Sequence, residues 1–144
     1  MIFNFPAQTE DILISDIERV GDKARKIARL GISISSQSGA PLNVELKHMT
    51  ETALKMLRLS LDGFARLDVA LVTEAVRLDE QVNSEYRGIA RQLITYMMED
   101  PRTISASLDL LFLAKAIERI GDHSKNVAEL IIYLVEGKED RKST

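Results

Sequence analysis

Two carboxylates four residues apart carry the chemical potential of this chain. They are Glu118 and Asp122, in the stretch Ala116-Ile117-Glu118-Arg119-Ile120-Gly121-Asp122-His123-Ser124-Lys125-Asn126. A near copy lies one hundred positions earlier, Asp16-Ile17-Glu18-Arg19-Val20-Gly21-Asp22-Lys23-Ala24-Arg25-Lys26. Agreement at a fixed offset marks an internal repeat. On a helix, residues four apart share a face, and like charges there cost about 0.2–0.5 kcal/mol. Gly121 and Gly21 each add about 1 kcal/mol relative to alanine. Two penalties taken twice imply a gain elsewhere. Paired carboxylates offer hard oxygen ligands for a cation, and a glycine admits a close neighbour.

The helix that must carry the second pair has a seam of Leu110, Leu113, Ile117, Ile120, Ser124, Val127, Ile131 and Leu134, stepping by three and four. Leu13, Ile17, Val20, Ala24 and Ile27 repeat it in the first copy. Glu118 and Asp122 fall off the seam, so they are expected on its outer side, lining a surface groove. The alternative from spacing alone is a solvated acidic stripe with Arg119 or Lys115 beside it.

The 144 residues are enough for one domain with a sizeable core. A net charge of -3 makes a nucleic-acid backbone a poor partner. The absence of cysteine excludes disulfides and thiolate metal sites and fits a reducing compartment. Met1-Ile2-Phe3-Asn4-Phe5-Pro6 lacks a basic signal-peptide start, and no stretch has the length of a membrane span, so the expected location is the cytoplasm.

Long 3.6-period segments with little strand alternation predict an all-α chain. Thr9-Glu10-Asp11 opens helix A, which runs to about Ser33, and Ser35 to Pro41 form a polar turn. Helix B spans about 42–66, with Leu46, Met49, Ala53, Leu57, Leu61 and Phe64 apolar. Asp68 caps helix C, about 69–98, which carries Asp79 and Asn83 four apart. Asp100 caps helix D, about 102–136, with Pro101 at its first position and Gly137 as its stop. Met56, Phe64, Tyr86, Tyr96, Met97 and Phe112 are expected to fill the core. The predicted architecture is an antiparallel three-helix bundle over 42–137, one N-terminal helix over 1–34 left from a second, incomplete bundle, and a charged tail over 138–144. Helix A either docks on the bundle or pairs with another chain, and a homodimer or larger homo-oligomer through it is expected.

The repeat, together with Arg91-Gln92-Leu93-Ile94-Thr95-Tyr96-Met97-Met98-Glu99-Asp100, Arg102-Thr103-Ile104 and Leu134-Val135-Glu136-Gly137, resembles the PhoU family of bacterial phosphate-uptake regulators. The resemblance covers about 14–137. It implies two three-helix bundles in a full-length member, with this chain looking like one shortened at its N-terminus. It also implies metal clusters on the carboxylate faces, at Glu18 and Asp22, at Glu118, Asp122 and Asn126, and at Asp79 with Asn83 on the middle helix. Asn83 stands where the family commonly has aspartate, and an amide is a weaker ligand for a hard cation. Lys26 stands where the second copy has Asn126, which disfavours a metal at the first site. The metal would be Fe, Zn, Mn or Mg.

By the same resemblance the chain is a non-catalytic adaptor, negatively regulating phosphate signalling. Its partners would be the ATPase subunit of a phosphate ABC transporter and a membrane sensor histidine kinase, placing it at the inner membrane through them. The chain has no Gly-x-x-x-x-Gly-Lys-Ser/Thr loop for nucleotide phosphates. Two rivals stand beside the adaptor. One is a metal-free helical scaffold. The other is a carboxylate-bridged metal enzyme, which needs two Glu-x-x-His tetrapeptides; the chain has one, Glu45-Leu46-Lys47-His48. His48 and His123 are read as surface residues.

Overall fold

The computed structural model describes residues 7–36 and 44–143. Four α-helices follow one another: α1 (Ala7–Ser36), α2 (Lys47–Arg66), α3 (Val69–Glu99) and α4 (Ile104–Ser143), with a 3-10 turn at Pro101–Thr103 before α4. The all-α class expected from periodicity is the one observed. The expected polar turn falls largely on 37–43, outside the described residues, as do the start of helix B at 42–43 and Met1–Pro6.

The joints follow from local chemistry. Asp68 accepts from the Ala70 and Leu71 amides at 3.0 and 3.4 Å, satisfying two orphan donors at the start of α3. The Asp68 amide donates to the Gly63 carbonyl at 3.0 Å, closing α2 with Leu67 in a left-handed conformation at φ 50°. Asp100 accepts from the Arg102 amide at 3.1 Å, and Pro101 opens the turn as expected. Several expected ends differ. α1 begins at Ala7, so Thr9 lies inside the helix rather than capping it, and it runs on to Ser36. α2 begins at Lys47, not at 42. α4 runs through Gly137 to Ser143, because Gly137 takes no positive φ and no left-handed cap forms there.

Among the described residues, helices α2, α3 and α4 pack on one another, while α1 packs on α4 alone. The main core joins Met49, Ala53 and Met56 of α2, Leu78, Val82, Ile89 and Leu93 of α3, and Ala114, Ile117 and Ile120 of α4. A second cluster joins Leu13 of α1 with Val72, Ala75, Val127, Ala128 and Ile131. The predicted α4 seam holds. On α2 the buried line is Met56, Ser60 and Gly63, and Leu61 is exposed. Close approach explains this shift: a methyl on Gly63 would stand 2.3 Å from Val72 Cγ1, so only glycine lets α3 come so near. Ser60 Oγ donates to the Ser124 carbonyl at 2.8 Å and ties α2 to α4. Of the expected core fillers, Met56 is fully buried, whereas Phe112 is exposed.

Candidate functional site, a carboxylate cluster between two helices

α4 is wrapped by three helices, and this alters the depth of the predicted site. Glu118 is buried at 7 % exposure, and Asp122 is half-buried. The outward orientation expected for this pair is therefore corrected. A helix packed by neighbours on most of its circumference leaves only a narrow wet strip, and in α4 that strip holds Arg119, Asn126, Glu129 and Tyr133. Glu118 lies on the side that meets α3.

Across from it, Asp79 of α3 is also buried. Its Oδ2 accepts from the Asn83 amide at 3.1 Å and lies 3.3 Å from Lys125 Nζ, while its Oδ1 is buried with no hydrogen-bond partner. Lys115 Nζ donates to Glu118 Oε2 at 3.1 Å and stands 4.9 Å from the centre of the Tyr86 ring. Burial pushes the Asp122 carboxyl up to about 6; a hydrogen bond with Glu118 and the charges of Glu118 and Asp79 act the same way, and Lys125 opposes them. The Asp79 charge raises Lys125 above the ordinary lysine value. Together, Asp79, Glu118 and Asp122 bring more negative charge to one place than Lys115 and Lys125 neutralise comfortably.

The structure thus brings Asp79, Asn83, Glu118 and Asp122 to one α3–α4 contact. It leaves out the other expected ligands. Asn126 is on the wet strip, and Glu18 and Asp22 are exposed on α1, where Arg25 Nη2 donates to Asp22 Oδ1 at 2.6 Å. Does the cluster suit a metal ion? Its surplus charge and the unpartnered Asp79 oxygen favour a cation. Yet among the described residues no three His, Asp or Glu groups stand close enough together to hold one ion. The residue types fit a hard cation, and in the described conformation Lys115 and Lys125 take the cation's part.

Several polar residues carried no flag in the sequence. Lys125 is one; only its helical phase relative to Asp122 points to it. His123, expected on the surface, is buried, and its Nδ1 lies 3.3 Å from Asp16 Oδ1, off the line of a hydrogen bond. Asp16, itself buried, is also within 3.8 Å of Arg19. His48 is exposed as expected, with Nδ1 2.6 Å from Glu85 Oε1 of α3. The two stand nearly equally far from the Leu67–Asp68 joint, a hairpin register that could have revealed the pair.

Residues 46–131 match the PhoU domain family. The chain is 43 % identical over 129 residues to a phosphate-specific transport system accessory protein PhoU homolog of Pseudomonas aeruginosa, covering 89 % of this chain and 53 % of that one. It is 46 % identical over 128 residues to the phosphate-specific transport system accessory protein PhoU of Escherichia coli, with the same coverage of 89 % and 53 %. The chain thus spans about half the length of these relatives. The crystal structure of PhoU from Pseudomonas aeruginosa superposes with a TM-score of 0.82 at 40 % identity, covering 94 % of this chain and 68 % of that one. The matched segment contains all of α2 and α3 and the carboxylate pair of α4, and on this agreement of sequence and fold the chain belongs to the PhoU family.

Proposed function

We propose that the chain acts as a non-catalytic accessory regulator of phosphate uptake and phosphate signalling, an adaptor between the ATPase subunit of a phosphate ABC transporter and a sensor histidine kinase. The observation that carries this reading is the likeness, across nearly all of this chain, to proteins named as accessory to phosphate-specific transport. The fold is compatible, because a helical bundle offers long rigid faces for protein contacts. Among the described residues no helix is long and apolar enough to cross a membrane, so an approach to the bilayer would run through partners. The test is binding of the purified 144-residue chain to the purified transporter ATPase subunit and to the kinase. Measurable affinity for the ATPase, with lowered kinase autophosphorylation in its presence, is the expected result. Failure to bind either at micromolar concentration sinks the reading.

A cation at the α3–α4 cluster belongs to the same proposal. Glu118, Asp122 and Asp79 would hold it, with the Asn83 amide oxygen as a weaker fourth donor and with Lys115 and Lys125 moved aside. Bound there, a Mg, Mn, Fe or Zn ion would supply positive charge that neutralises the cluster. Titration of chelator-treated protein checks this, and Glu118→Gln with Asp122→Asn should abolish binding. A metal-free scaffold is the second reading, favoured by the 3.1 and 3.3 Å lysine contacts already made to Glu118 and Asp79. Unchanged metal uptake by the double variant would remove the proposed ligands from consideration.

A further inference from the structure

Asp16 of α1 lies beside His123 of α4, and farther along α1 the Lys26 Nζ stands 6.0 Å from the Phe112 ring centre. Numbers rise on α1 while they fall on α4, so the two helices are antiparallel. Arg19 therefore comes alongside Arg119, between those two contacts. The residues that follow them, Val20 and Ile120, belong to one core cluster. Positions seven apart share a helical face. Ile12, Arg19 and Lys26 form one stripe on α1, with Lys23 beside it, and Phe112, Arg119, Asn126 and Tyr133 form one on α4. The contact of Lys26 with Phe112 sets both stripes on the same side of the α1–α4 seam.

This side of the seam is open and positively charged. Arg19, Lys26 and Arg119 are exposed, and Lys23 is half-buried. Among the described residues no carboxylate stands within ion-pair distance of Lys23, Lys26 or Arg119. Arg19 reaches Asp16 at 3.8 Å, and that acid is itself buried. Cations gathered in this way repel one another until an anion arrives. The acids Asp11 and Glu129 stand toward the other end of the two helices. Apolar surface brackets the cations. Phe112, 48 % exposed, marks one end. Ile12, 51 % exposed, marks the other, where a cleft of about 260 Å³ is lined by Asp11, Ile12, Ser15, Asp16 and Arg19.

We infer that this side of the α1–α4 seam docks an acidic amphipathic helix of a partner protein. Arg19, Lys23, Lys26 and Arg119 meet its carboxylates, and Ile12 and Phe112 meet its apolar side chains. Two helices in contact leave a furrow between them that takes a third, the geometry of helix-in-groove recognition. Charge complementarity chooses the occupant and its direction. Its acidic part lies over Arg119 and Lys26, away from Asp11 and Glu129. A second copy of this chain is poorly suited, because it would bring the same cations to the seam. A bilayer suits the surface less well, since Phe112 lies against the Lys26 ammonium and does not project past the cations. The net charge of -3 disfavours a nucleic acid. The accessory-regulator reading enters only in which protein carries the helix.

The probe is a fluorescein-labelled helical peptide of glutamate, alanine and leucine, with the leucines on one face. It needs neither transporter nor kinase, so its failure is read apart from theirs. Titrated with the full 144-residue chain, it should bind with a micromolar Kd that weakens as salt is raised. Lys26→Glu with Arg119→Glu should weaken binding at least about tenfold. Lys55→Glu with Arg58→Glu makes the same change in net charge at exposed positions of α2, and should leave the Kd within about twofold. A peptide with serine in place of leucine should bind at least about fivefold more weakly. Nuclear magnetic resonance locates the peptide without a variant: amide signals of 19–26 and 112–119 should shift. No binding at micromolar concentration, equal losses in the two double variants, shifts confined to other helices, or undiminished binding of the serine peptide would each overturn the inference. Displacement of the peptide by phosphatidylglycerol vesicles at matched charge would assign the surface to a membrane and overturn it too.

Discussion

Ile17 and Ile117 occupy the same place in two copies of one motif, yet Ile17 is half exposed and Ile117 has left water almost completely. The contrast extends to their neighbours. Asp22 is exposed and paired with Arg25 on its own helix, whereas Asp122 shares a half-buried pocket with Glu118, Asp79 and Lys125. Gly21 faces open space, and Gly121 is buried between α2 and α3. Nearly identical segments thus form equally good helices and differ in everything that depends on what packs against them. Among the described residues the second copy alone has two further helices to bury it, and burial converts a pair of ordinary surface carboxylates into a cluster that competes for protons and cations.

Paired substitutions at equivalent positions give the most direct check of that difference. The largest effect is expected in the core. Ile117→Ala should cost about 2–5 kcal/mol of stability in urea unfolding, through lost burial and the cavity left behind, and Ile17→Ala under about 1 kcal/mol. Equal losses would mean that α1 is as deeply packed as α4. Next comes Lys125→Ala, which leaves the Asp79, Glu118 and Asp122 cluster short of a cation and should cost about 2–4 kcal/mol, whereas Arg25→Ala should cause no measurable change. A pair of silent variants would show that the second cluster is as well solvated as the first.

The third comparison is a pH effect. Asp122 titrates near 6 in the folded chain against an ordinary value of 3.8. Between those values the folded chain holds a proton that the unfolded chain has released. The resulting stabilisation is fully present below about pH 4 and is lost as pH rises through about 6. In metal-free protein, Asp122→Asn should therefore raise stability at pH 8 by about 1–2 kcal/mol, allowing for the partial exposure of the group, with the gain fading toward pH 4. Melting curves at several pH values read this, and a flat difference for Asp122→Asn would contradict the buried cluster. The smallest effects belong to the glycines. Gly21→Ala should stabilise by up to about 1 kcal/mol through helix propensity alone. Gly121→Ala should be neutral or slightly stabilising, because a methyl there makes ordinary contacts with Met56 and Val82. A marked loss for Gly121→Ala would reveal a tighter α4 contact than these distances imply.

Much of this was legible in the chain before any coordinates. The 3.6-residue periodicity gave the helices, and Asp68, Asp100 and Pro101 marked two joints by short-range hydrogen bonding and proline geometry, which need only neighbouring residues. The α4 seam from Ile117 to Ile131 could be read for the same reason. The repeat located Glu118 and Asp122, and a four-residue spacing placed Asp79 and Asn83 on one face of α3. Their depth was not legible, because a hydropathy pattern reveals an apolar stripe and says little about how many helices surround it. Gly63, Ser60 and the buried line of α2 escaped for a related reason: small residues are buried by close approach, which the partner helix decides. Asp16 against His123 and Lys125 against Asp79 join residues more than forty positions apart, and no local rule connects them. By itself, then, the sequence determined the helices, their joints and the repeated acidic motif, since those rest on forces acting within a few turns of chain. Only the tertiary structure decided which copy of the motif is removed from water, because desolvation depends on the neighbours that arrive, and α4 receives three helices while α1 receives one.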